Sequence, residues 1–510
     1  MWLWWSLACS DGAQPGTDPV DTDTSAETEP PVETDNDADG DGFAPPEDCD
    51  DADVSVFPGA TDVWYDGIDS DCAGNSDFDQ DGDGDNQPAG GGLDCDDTDA
   101  AIASTLIVNS DMGPLGVPVP NPSLLDTPFP KSPLTVVSDE PSTDNQHHTT
   151  VSWGEDGNFV AAWQHGSGST YVTLVGLFDD SGARMPDFPI KISDNDTNGG
   201  KPDVEAFPGG YIVAYEGGGD LIFLRPLGLD AIPTGPTQLV FSDSDAGVVS
   251  STPDLALFDD GSGVIVWESD GGSHGEGVHY VQRFSANLDF VGEPIFVKAA
   301  GRTAADVAAL PGTPGGFVVT GTYKDSVTDI MQVYAVKFGA DGCQQEIRID
   351  QGESDAPSRP AIAIDALGRM AVTWRSKVEM GLGEGSYGRF FEASGLARTD
   401  AFALARAEED GNRSVVAFWG NRVVFAWQGI VEGTLEDVAV SVWDIDARNQ
   451  VFAEDIFNDR GTDPEVDAHR PSISIKPDPG SNDATLVVTW EEELNPPTSV
   501  FNRIVTLVAP

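Results

Sequence analysis

The chain has 510 residues, of which 88 are acidic and 25 are basic, so its formal charge at pH 7 is −63. Nucleic acids and anionic membrane surfaces are bound through clustered lysine and arginine, so neither is expected as the main partner. Such a chain favours cations, calcium above all, and its charge also promotes solubility. No run of eighteen apolar residues occurs, so the sequence predicts no membrane-spanning helix.

The first nine residues have the composition of the end of an export signal. Ser6-Leu7-Ala8-Cys9 resembles a bacterial lipobox, whose cysteine is lipidated after cleavage. The sequence departs from that pattern at Ser6, where an aliphatic residue is usual, and it has no basic residue ahead of a very short apolar core. Ser10 follows the cysteine, which by resemblance to bacterial sorting rules indicates the outer membrane.

Residues 10–34 consist mainly of Asp, Thr, Pro, Glu and Ser. A segment with so few apolar side chains cannot bury enough surface to fold, so it is predicted to be a disordered tether. Together with Cys9, this tether predicts an outer-membrane or cell-surface lipoprotein that contacts the membrane only through its lipid anchor. The alternatives are a periplasmic or secreted protein, with an unmodified cysteine in a disordered N-terminus.

Residues 35–103 contain two acidic loops built on alternating aspartates. With Asp37 as position 1 of a calcium loop, Asp39 falls at position 3, Asp41 at position 5, Gly42 at position 6 and Asp48 at position 12. Calcium takes six to eight oxygen ligands, so carboxylates at every second position of a tight loop can surround it. No flanking helix is apparent, so the pattern does not predict an EF-hand pair.

The second loop starts at Asp79 and is longer, because its closing residue is Asp94. The alternative to two calcium sites is a solvated acidic linker, although repetition and spacing both favour calcium. The predicted metal-binding residues are Asp37, Asp39, Asp41, Phe43, Asp48, Asp50, Asp51, Asp53, Asp69, Asp71, Asp79, Asp81, Asp83, Asp85, Asp94, Asp96, Asp97 and Asp99.

This region resembles the bacterial MopE-type metal-binding modules and, more loosely, thrombospondin type 3 repeats. The resemblance is carried by the Asp-Gly-Asp-Gly loops, two Asp-Cys-Asp-Asp boxes, Phe57-Pro58-Gly59-Ala60 and the run from Asp66 to Cys72. The family name refers to copper, which prefers imidazole or soft sulfur ligands. Because the module contains no histidine, calcium is the expected ion.

The disulfide pairing of the module stays open at the level of sequence. The related modules usually have a cysteine where this chain has Tyr65, so Cys72 lacks its usual local partner. Pairing of Cys49 with Cys72 and pairing of Cys49 with Cys95 are both compatible with an exported protein. Cys343 lies far away, in a predicted propeller turn.

After a connector with six prolines, residues 104–132, the rest of the chain repeats one unit seven times. Each copy has short apolar strands separated by Gly and Asp turns. A period of roughly 40 to 55 residues with several short strands per copy is typical of propeller blades. The second strand of each copy is predicted to end at Trp163, Tyr215, Trp267, Thr320, Trp374, Trp427 and Trp490.

The two ends of this repeat region complement each other. The last copy has only three strands, whereas residues 134–138 form an apolar strand ahead of the first copy. If that strand completes the last blade, no sheet edge is left unpaired. The sequence therefore predicts an all-β chain with a seven-bladed β-propeller over residues 133–510; the alternatives are a β-sandwich or an open repeat array. Residues 399–409 are the only helix candidate.

Basic residues are rare, and several of them occupy one position in the repeat. The residue just before the predicted inner strand is His148, Lys201, Thr252, Ala304, Arg359, Arg413 and Arg470 in the seven copies. Inner strands line the channel of a propeller, so the basic ring (His148, Lys201, Arg359, Arg413 and Arg470), with His147 and His469 beside it, is predicted to surround one mouth. Convergent guanidinium groups bind carboxylates or sulfates. The alternative is that each arginine pairs with a nearby acidic loop and only joins blades.

A second, weaker calcium loop lies within the propeller. Asp194, Asp196, Asn198 and Glu205 fit positions 1, 3, 5 and 12, but Glu205 falls inside a predicted inner strand. An Asx turn is the simpler interpretation.

Signals for an enzyme are poor, because the chain has no nucleophile elbow, zinc motif or phosphate loop, and it does not match the sialidase Asp box. The sequence therefore predicts a monomeric, non-enzymatic calcium-binding protein whose propeller binds an anionic small molecule, an acidic glycan or a protein. A glycan-active hydrolase or lyase using the basic mouth is the alternative.

Overall fold

The structure is a computed structural model with two compact units, residues 1–77 and residues 78–510. The residues that it describes are 37–64, 67–74, 76, 78–80, 82, 116, 131–138, 145–167, 170–193, 199–217, 221–241, 249–270, 277–299, 304–324, 330–339, 344–351, 357–377, 384–404, 413–429, 436–458, 466–493 and 498–508.

Within these ranges the second unit has 28 strands in seven antiparallel four-stranded sheets, which are the blades. Blade 1 is β2 (Asn145–Trp153), β3 (Phe159–Ser167), β4 (Thr170–Phe178) and β5 (Ile190–Lys191). Blade 2 is β6 (Gly200–Phe207), β7 (Gly210–Gly217), β8 (Leu221–Gly228) and β9 (Gln238–Phe241). Blade 3 is β10 (Val249–Leu257), β11 (Gly263–Asp270), β12 (Val278–Phe284) and β13 (Phe290–Ala299). Blade 4 is β14 (Asp306–Ala309), β15 (Phe317–Lys324), β16 (Met331–Phe338) and β17 (Gln344–Arg348).

The remaining blades follow the same order along the chain. Blade 5 is β18 (Ser358–Ile364), β19 (Met370–Ser376), β20 (Gly385–Phe391) and β21 (Phe402–Ala403). Blade 6 is β22 (Arg413–Trp419), β23 (Arg422–Gly429), β24 (Asp437–Asp444) and β25 (Asn449–Ile456). Blade 7 is β26 (Ala468–Pro477), β27 (Ala484–Glu493), β28 (Thr498–Leu507) and, from the other end of the repeat region, β1 (Thr135–Val136).

The closure of the ring confirms the seven-bladed propeller. In blade 7, β1 pairs with β28, with Thr135 opposite Asn502 and Val136 opposite Phe501. The N–H of Val137 then donates to the carbonyl of Val500 at 2.9 Å. The first strand of the propeller therefore covers the edge that the last strand would otherwise expose.

The core lies between the blades. Seven apolar clusters form, one at each contact between neighbouring blades, including the contact between blades 7 and 1. Middle strands such as β7 and β20 are buried along nearly their whole length, as expected for sheets that are covered on both faces. This burial on both faces explains why the sequences of these strands are almost continuously apolar.

Two sequence predictions of local structure are wrong. The second strands do not end at the aromatic residue: Trp163, for example, is completely buried inside β3, which runs on to Ser167. Residues 399–409 do not form the expected helix where the structure describes them, because Phe402–Ala403 is the outer strand of blade 5. No helix in the described residues has the length and hydropathy needed to cross a bilayer.

Candidate functional site

The first predicted calcium loop forms a compact carboxylate cluster in the N-terminal unit. Carboxylate oxygens of Asp37, Asp39 and Asp41 lie within 4.8 Å of one another. The turn that brings them together passes through Gly40 and Gly42, whose φ angles are 88° and 104°. These are conformations that glycine adopts without a steric penalty.

Asp37 accepts backbone N–H groups with both of its carboxylate oxygens, whereas Asp39, Asp41 and Asp48 each use one. The Asp39 carboxylate accepts the N–H of Asp41 at 3.1 Å, and the Asp41 carboxylate accepts the N–H of Phe43 at 2.8 Å. The Asp48 carboxylate accepts the N–H of Asp50 at 2.9 Å. The backbone therefore keeps these three side chains in fixed orientations.

The second oxygen of the same three side chains has no hydrogen-bond partner. The Oδ2 atoms of Asp39, Asp41 and Asp48 are all buried and unpaired. Burial, followed by the charges of neighbouring aspartates, raises the pKa of Asp39. Unpaired buried carboxylate oxygens are costly, and a hard cation such as calcium would satisfy them.

Other predicted metal residues near this loop have structural partners. Asp51 accepts the N–H of Ala38 at 2.8 Å, and Asp69 accepts the N–H of Gly74 at 2.9 Å. Asp53 binds the hydroxyl of Ser55, which lowers the pKa of that carboxyl group. Asp71 accepts the N–H of Ala73, and the Phe43 ring stacks on another phenylalanine 5.6 Å away.

The module is held together by a Cys49–Cys72 disulfide, one of the two pairings that the sequence left open. Asp48, at position 12 of the loop, directly precedes this bridge. Of the second loop, Asp79 is described and accepts the N–H of Gly82 at 3.0 Å. The other predicted ligands of that loop, and Cys9, lie outside the described residues.

The second candidate site is a cavity of about 860 Å³ in the propeller, which we call the channel. Residues from all seven inner strands (β2, β6, β10, β14, β18, β22 and β26) line it. All five members of the basic ring are among the lining residues, and so is Arg375, which the sequence did not single out. The predicted positions thus meet in one cavity.

The basic ring differs in one respect from the sequence prediction. Most of its members lie inside the inner strands, at β-bulges, instead of just before the strands. His148, Lys201, Arg359 and Arg470, together with Thr252, have φ angles between 42° and 52°. Such left-handed conformations are strained for residues other than glycine, at about 1–3 kcal/mol each, and bulges commonly re-aim side chains at functional sites.

In four of the five strained residues the backbone N–H donates to a side chain of the preceding blade. The Lys201 N–H donates to Gln164 at 3.2 Å, the Thr252 N–H donates to Glu216 at 2.8 Å, and the Arg470 N–H donates to Gln428 at 3.0 Å. The His148 N–H donates in the same way to a glutamate of blade 7. Sequence reasoning missed these acceptors, although each directly follows the aromatic residue of a second strand.

Two members of the basic ring form ion pairs within their own blade. Lys201 Nζ lies 2.8 Å from Glu216 Oε1, and Arg470 Nη1 lies 2.7 Å from Glu491 Oε2. For these two residues, the ion pairs agree in part with the alternative in which the basic residues pair with nearby acidic groups and have a structural role. Both side chains nevertheless remain about one-third exposed.

Arg413 differs from these two residues. Among the described residues its guanidinium has no hydrogen-bond or ion-pair partner, although it borders the channel. Burial, reinforced by the charges of Arg359 and Arg470, lowers its pKa to about 10, so it stays protonated at neutral pH. An arginine without a protein partner, beside two other arginines, is a candidate anion-binding group.

His148 is neutral at physiological pH. Burial and the nearby charges of Arg470 and Arg413 lower its pKa to about 2. Its Nδ1 atom is buried without a hydrogen-bond partner. The two flanking histidines are paired instead: His147 Nδ1 lies 3.2 Å from Glu491 Oε2, and His469 Nδ1 lies 2.7 Å from Glu436 Oε2.

Carboxylates also line the channel, and sequence reasoning did not identify them as a group. Asp203 accepts the N–H of Leu255 at 2.9 Å and the hydroxyl of Thr150 at 2.9 Å. Asp254 and Asp306 likewise accept N–H groups of the next inner strand, at 2.7 and 2.8 Å. Each carboxylate therefore binds one blade to the following one.

Burial is the largest cause of a raised pKa in all of these groups. The pKa of Asp203 rises to about 6, and those of Asp254 and Asp306 are also raised. Glu205 belongs to the same set, because it lines the channel from β6 and its pKa is raised by burial and by the charge of Asp203. The other three members of the weaker calcium loop, Asp194, Asp196 and Asn198, lie outside the described residues.

Comparison with known proteins identifies the N-terminal motif. Residues 48–77 and 94–106 match the family model described as "Putative metal-binding motif" (Cu-binding MopE). The N-terminal region carries a MopE-type metal-binding motif. The matched region begins at Asp48, the last residue of the described aspartate loop, and the match does not specify a metal.

Several solved structures resemble the chain at low identity. A protein of unknown function from Dyadobacter fermentans DSM 18053 is 12% identical, with 73% of this chain and 98% of that chain covered and a TM-score of 0.45. The N11 neuraminidase-like protein of A/flat-faced bat/Peru/033/2010 is 10% identical, with 80% of this chain and 99% of that chain covered and a TM-score of 0.40. The phage phi92 endosialidase is 9% identical, with 75% of this chain and 70% of that chain covered and a TM-score of 0.41. Likeness at this level assigns no activity to the chain. No curated protein matches it.

Proposed function

We propose that this is an exported calcium-binding lipoprotein, anchored at the outer membrane or cell surface through Cys9, whose propeller binds an anionic ligand in its channel without catalysis. The calcium ion stabilises the N-terminal module. The propeller presents the ligand site. The ligand is an anionic small molecule or an acidic glycan.

The calcium assignment is supported by the three unpaired oxygens of Asp39, Asp41 and Asp48. A loop of oxygen donors without imidazole or thiolate suits a hard cation better than copper. Magnesium demands a stricter octahedral geometry than a loop of this kind offers. Calcium is therefore the ion that we assign to this site.

The first prediction concerns this loop. Replacing Asp39 and Asp48 together by asparagine in the full chain should weaken calcium binding by at least about tenfold, because two charged ligands become neutral. Calorimetric titration with calcium, magnesium and copper measures the effect. Asp230→Asn combined with Asp260→Asn, at two exposed propeller turns, is the control that removes the same number of charges. Tighter binding of copper than of calcium would contradict the assignment.

The assignment of the anion site is supported by Arg413. A protonated guanidinium with no hydrogen-bond or ion-pair partner in the described part of the chain, next to Arg359 and Arg470 in a cavity of about 860 Å³, can form two parallel hydrogen bonds with a carboxylate or sulfate. If the arginines served only to join blades, each would be expected to have an acidic partner.

The second prediction follows from that difference. Arg413→Gln should weaken binding of glucuronate or sulfate by about tenfold or more, since a charge-assisted bidentate contact is lost. It should not lower the free energy of unfolding, because no ion pair is broken. Arg398→Gln is the control, since that side chain pairs with Glu392 and Asp446 away from the channel. Unchanged binding together with reduced stability would favour the purely structural role.

The second candidate function is a glycan-active hydrolase or lyase. It is favoured by the buried channel carboxylates, because carboxyl groups with raised pKa values can act as general acids. Incubation of the full chain with uronic-acid oligosaccharides, followed by chromatography of the products, tests it. Products that disappear in Asp254→Asn would replace the binding function by catalysis.

A further inference from the structure

The channel is lined by two successive levels of side chains. The first level holds the bulge positions, and the second holds the residues two positions further along each inner strand. In blade order from 1 to 7, the first level is His148, Lys201, Thr252, Ala304, Arg359, Arg413 and Arg470. The second level, in the same order, is Thr150, Asp203, Asp254, Asp306, Ala361, Val415 and Ser472.

Apart from Lys201 in blade 2, opposite charges occupy opposite sides of this ring. The three arginines come from blades 5, 6 and 7, where the second level is apolar or carries a hydroxyl group. The three aspartates come from blades 2, 3 and 4. In a closed ring of seven blades these two arcs face each other across the cavity.

In the part of the chain that the structure describes, the facing groups make no direct contact, although the charge of Arg413 lowers the pKa of Asp306 against the larger effect of burial. Among the described residues, no ion pair or hydrogen bond joins Asp203, Asp254 or Asp306 to an arginine. Asp254 and Asp306 each use one oxygen to bind the N–H of the next inner strand. Their remaining oxygens interact with each other. This leaves an acidic surface and a basic surface separated by a cavity of about 860 Å³, which is within the size range of small-molecule sites.

We propose that the channel binds a zwitterion, a small molecule whose carboxylate lies against Arg359 and Arg413 and whose protonated amine lies against Asp254 and Asp306. This inference rests on the proposed anion site and adds the second charge of the ligand. An ammonium group supplies the hydrogen-bond donors that the aspartate pair accepts, while a carboxylate accepts from the guanidinium groups. A ligand with both groups satisfies both arcs, whereas a simple anion satisfies only one.

Binding of such a ligand is coupled to proton release. Burial raises the pKa of both Asp254 and Asp306, and the hydrogen bond that joins the two carboxyl groups requires a proton between them. An ammonium group placed against the pair favours its ionised form. Calorimetric titration in two buffers of different ionisation enthalpy should therefore show that the amino acid displaces a proton from the aspartate pair. A plain carboxylate should displace none.

The test compares ligands of one chain length on the full protein. Calorimetry with 6-aminohexanoate, hexanoate and hexylamine, extended to 4-aminobutyrate and 8-aminooctanoate, should give at least tenfold tighter binding for one of the amino acids than for the carboxylate or amine of equal length. Asp254→Asn or Asp306→Asn should bring that ratio close to one. Arg413→Gln should weaken binding of both amino acid and carboxylate.

The outcomes separate this inference from the proposed function. Equal affinity for hexanoate and every amino acid in the series overturns the zwitterion and leaves the anion site standing. Absence of binding by hexanoate, sulfate and all amino acids overturns the anion site and the zwitterion with it. Asparagine keeps an oxygen that accepts the N–H of the next strand, and a melting curve for each variant verifies the fold.

Discussion

Replacing Glu491 by alanine is expected to lower the free energy of unfolding by about 3 kcal/mol, because a buried carboxylate that binds three groups is lost and its partners are left unpaired. The Glu491 side chain is 1% exposed. Its carboxylate binds the guanidinium of Arg470 at 2.7 Å, contacts His147 Nδ1 at 3.2 Å and accepts the N–H of His148. The substitution leaves these donors without their acceptor at the contact between blades 7 and 1.

The effect should concentrate where the ring closes. Hydrogen exchange should become faster at Val137, whose N–H donates to the carbonyl of Val500 next to the closing strand, and denaturant unfolding measures the overall loss. Glu493→Ala is the matched control, because that side chain lies in the same strand, is 63% exposed and reaches His469 only at 3.7 Å. Equal stability of the two variants would mean that the Glu491 contacts contribute little to closure.

The blade count could be predicted from the sequence because it depends on local signals. Gly and Asp turns and apolar runs recur in every copy, and the aromatic residue recurs in six of the seven. The unmatched strand near residue 135 indicated how the ring closes. The basic ring could be found for a related reason: arginine and lysine are so scarce in this chain that their repetition at one position is informative. The channel then follows from the geometry of any closed propeller.

The features that could not be predicted from the sequence depend on contacts between strands and between blades. Asp203, Asp254 and Asp306 are three among 88 acidic residues, and only the register between neighbouring inner strands reveals that each accepts an N–H from the next blade. The bulges were missed because a left-handed residue before proline, as at Lys201, is not what propensity predicts. The helix expected over residues 399–409 failed because edge pairing with β20 overrides the local preference.

The channel carboxylates should make stability depend on pH in the direction opposite to most aspartates. Burial raises the pKa of Asp203 from 3.8 to about 6, so between these values the folded protein binds more protons than the unfolded chain. The free energy of unfolding therefore falls as the pH rises through that interval. For Asp203→Asn we expect a gain of about 2 kcal/mol at pH 8, because each pKa unit corresponds to about 1.4 kcal/mol and access to water reduces the effect. Near pH 4 the gain should vanish.

Denaturant unfolding of the wild type and Asp203→Asn at pH 4, 6 and 8 measures this dependence. Asp230→Asn, which removes one carboxylate at an exposed turn outside the channel, is the control. A gain for Asp203→Asn that is the same at pH 4 and pH 8 would contradict the raised pKa. If the gain at pH 8 is found, the native carboxylate costs stability at that pH, as is typical of binding sites. The aspartates of the channel would then serve ligand binding and not stability, since asparagine provides the same acceptor for the next strand.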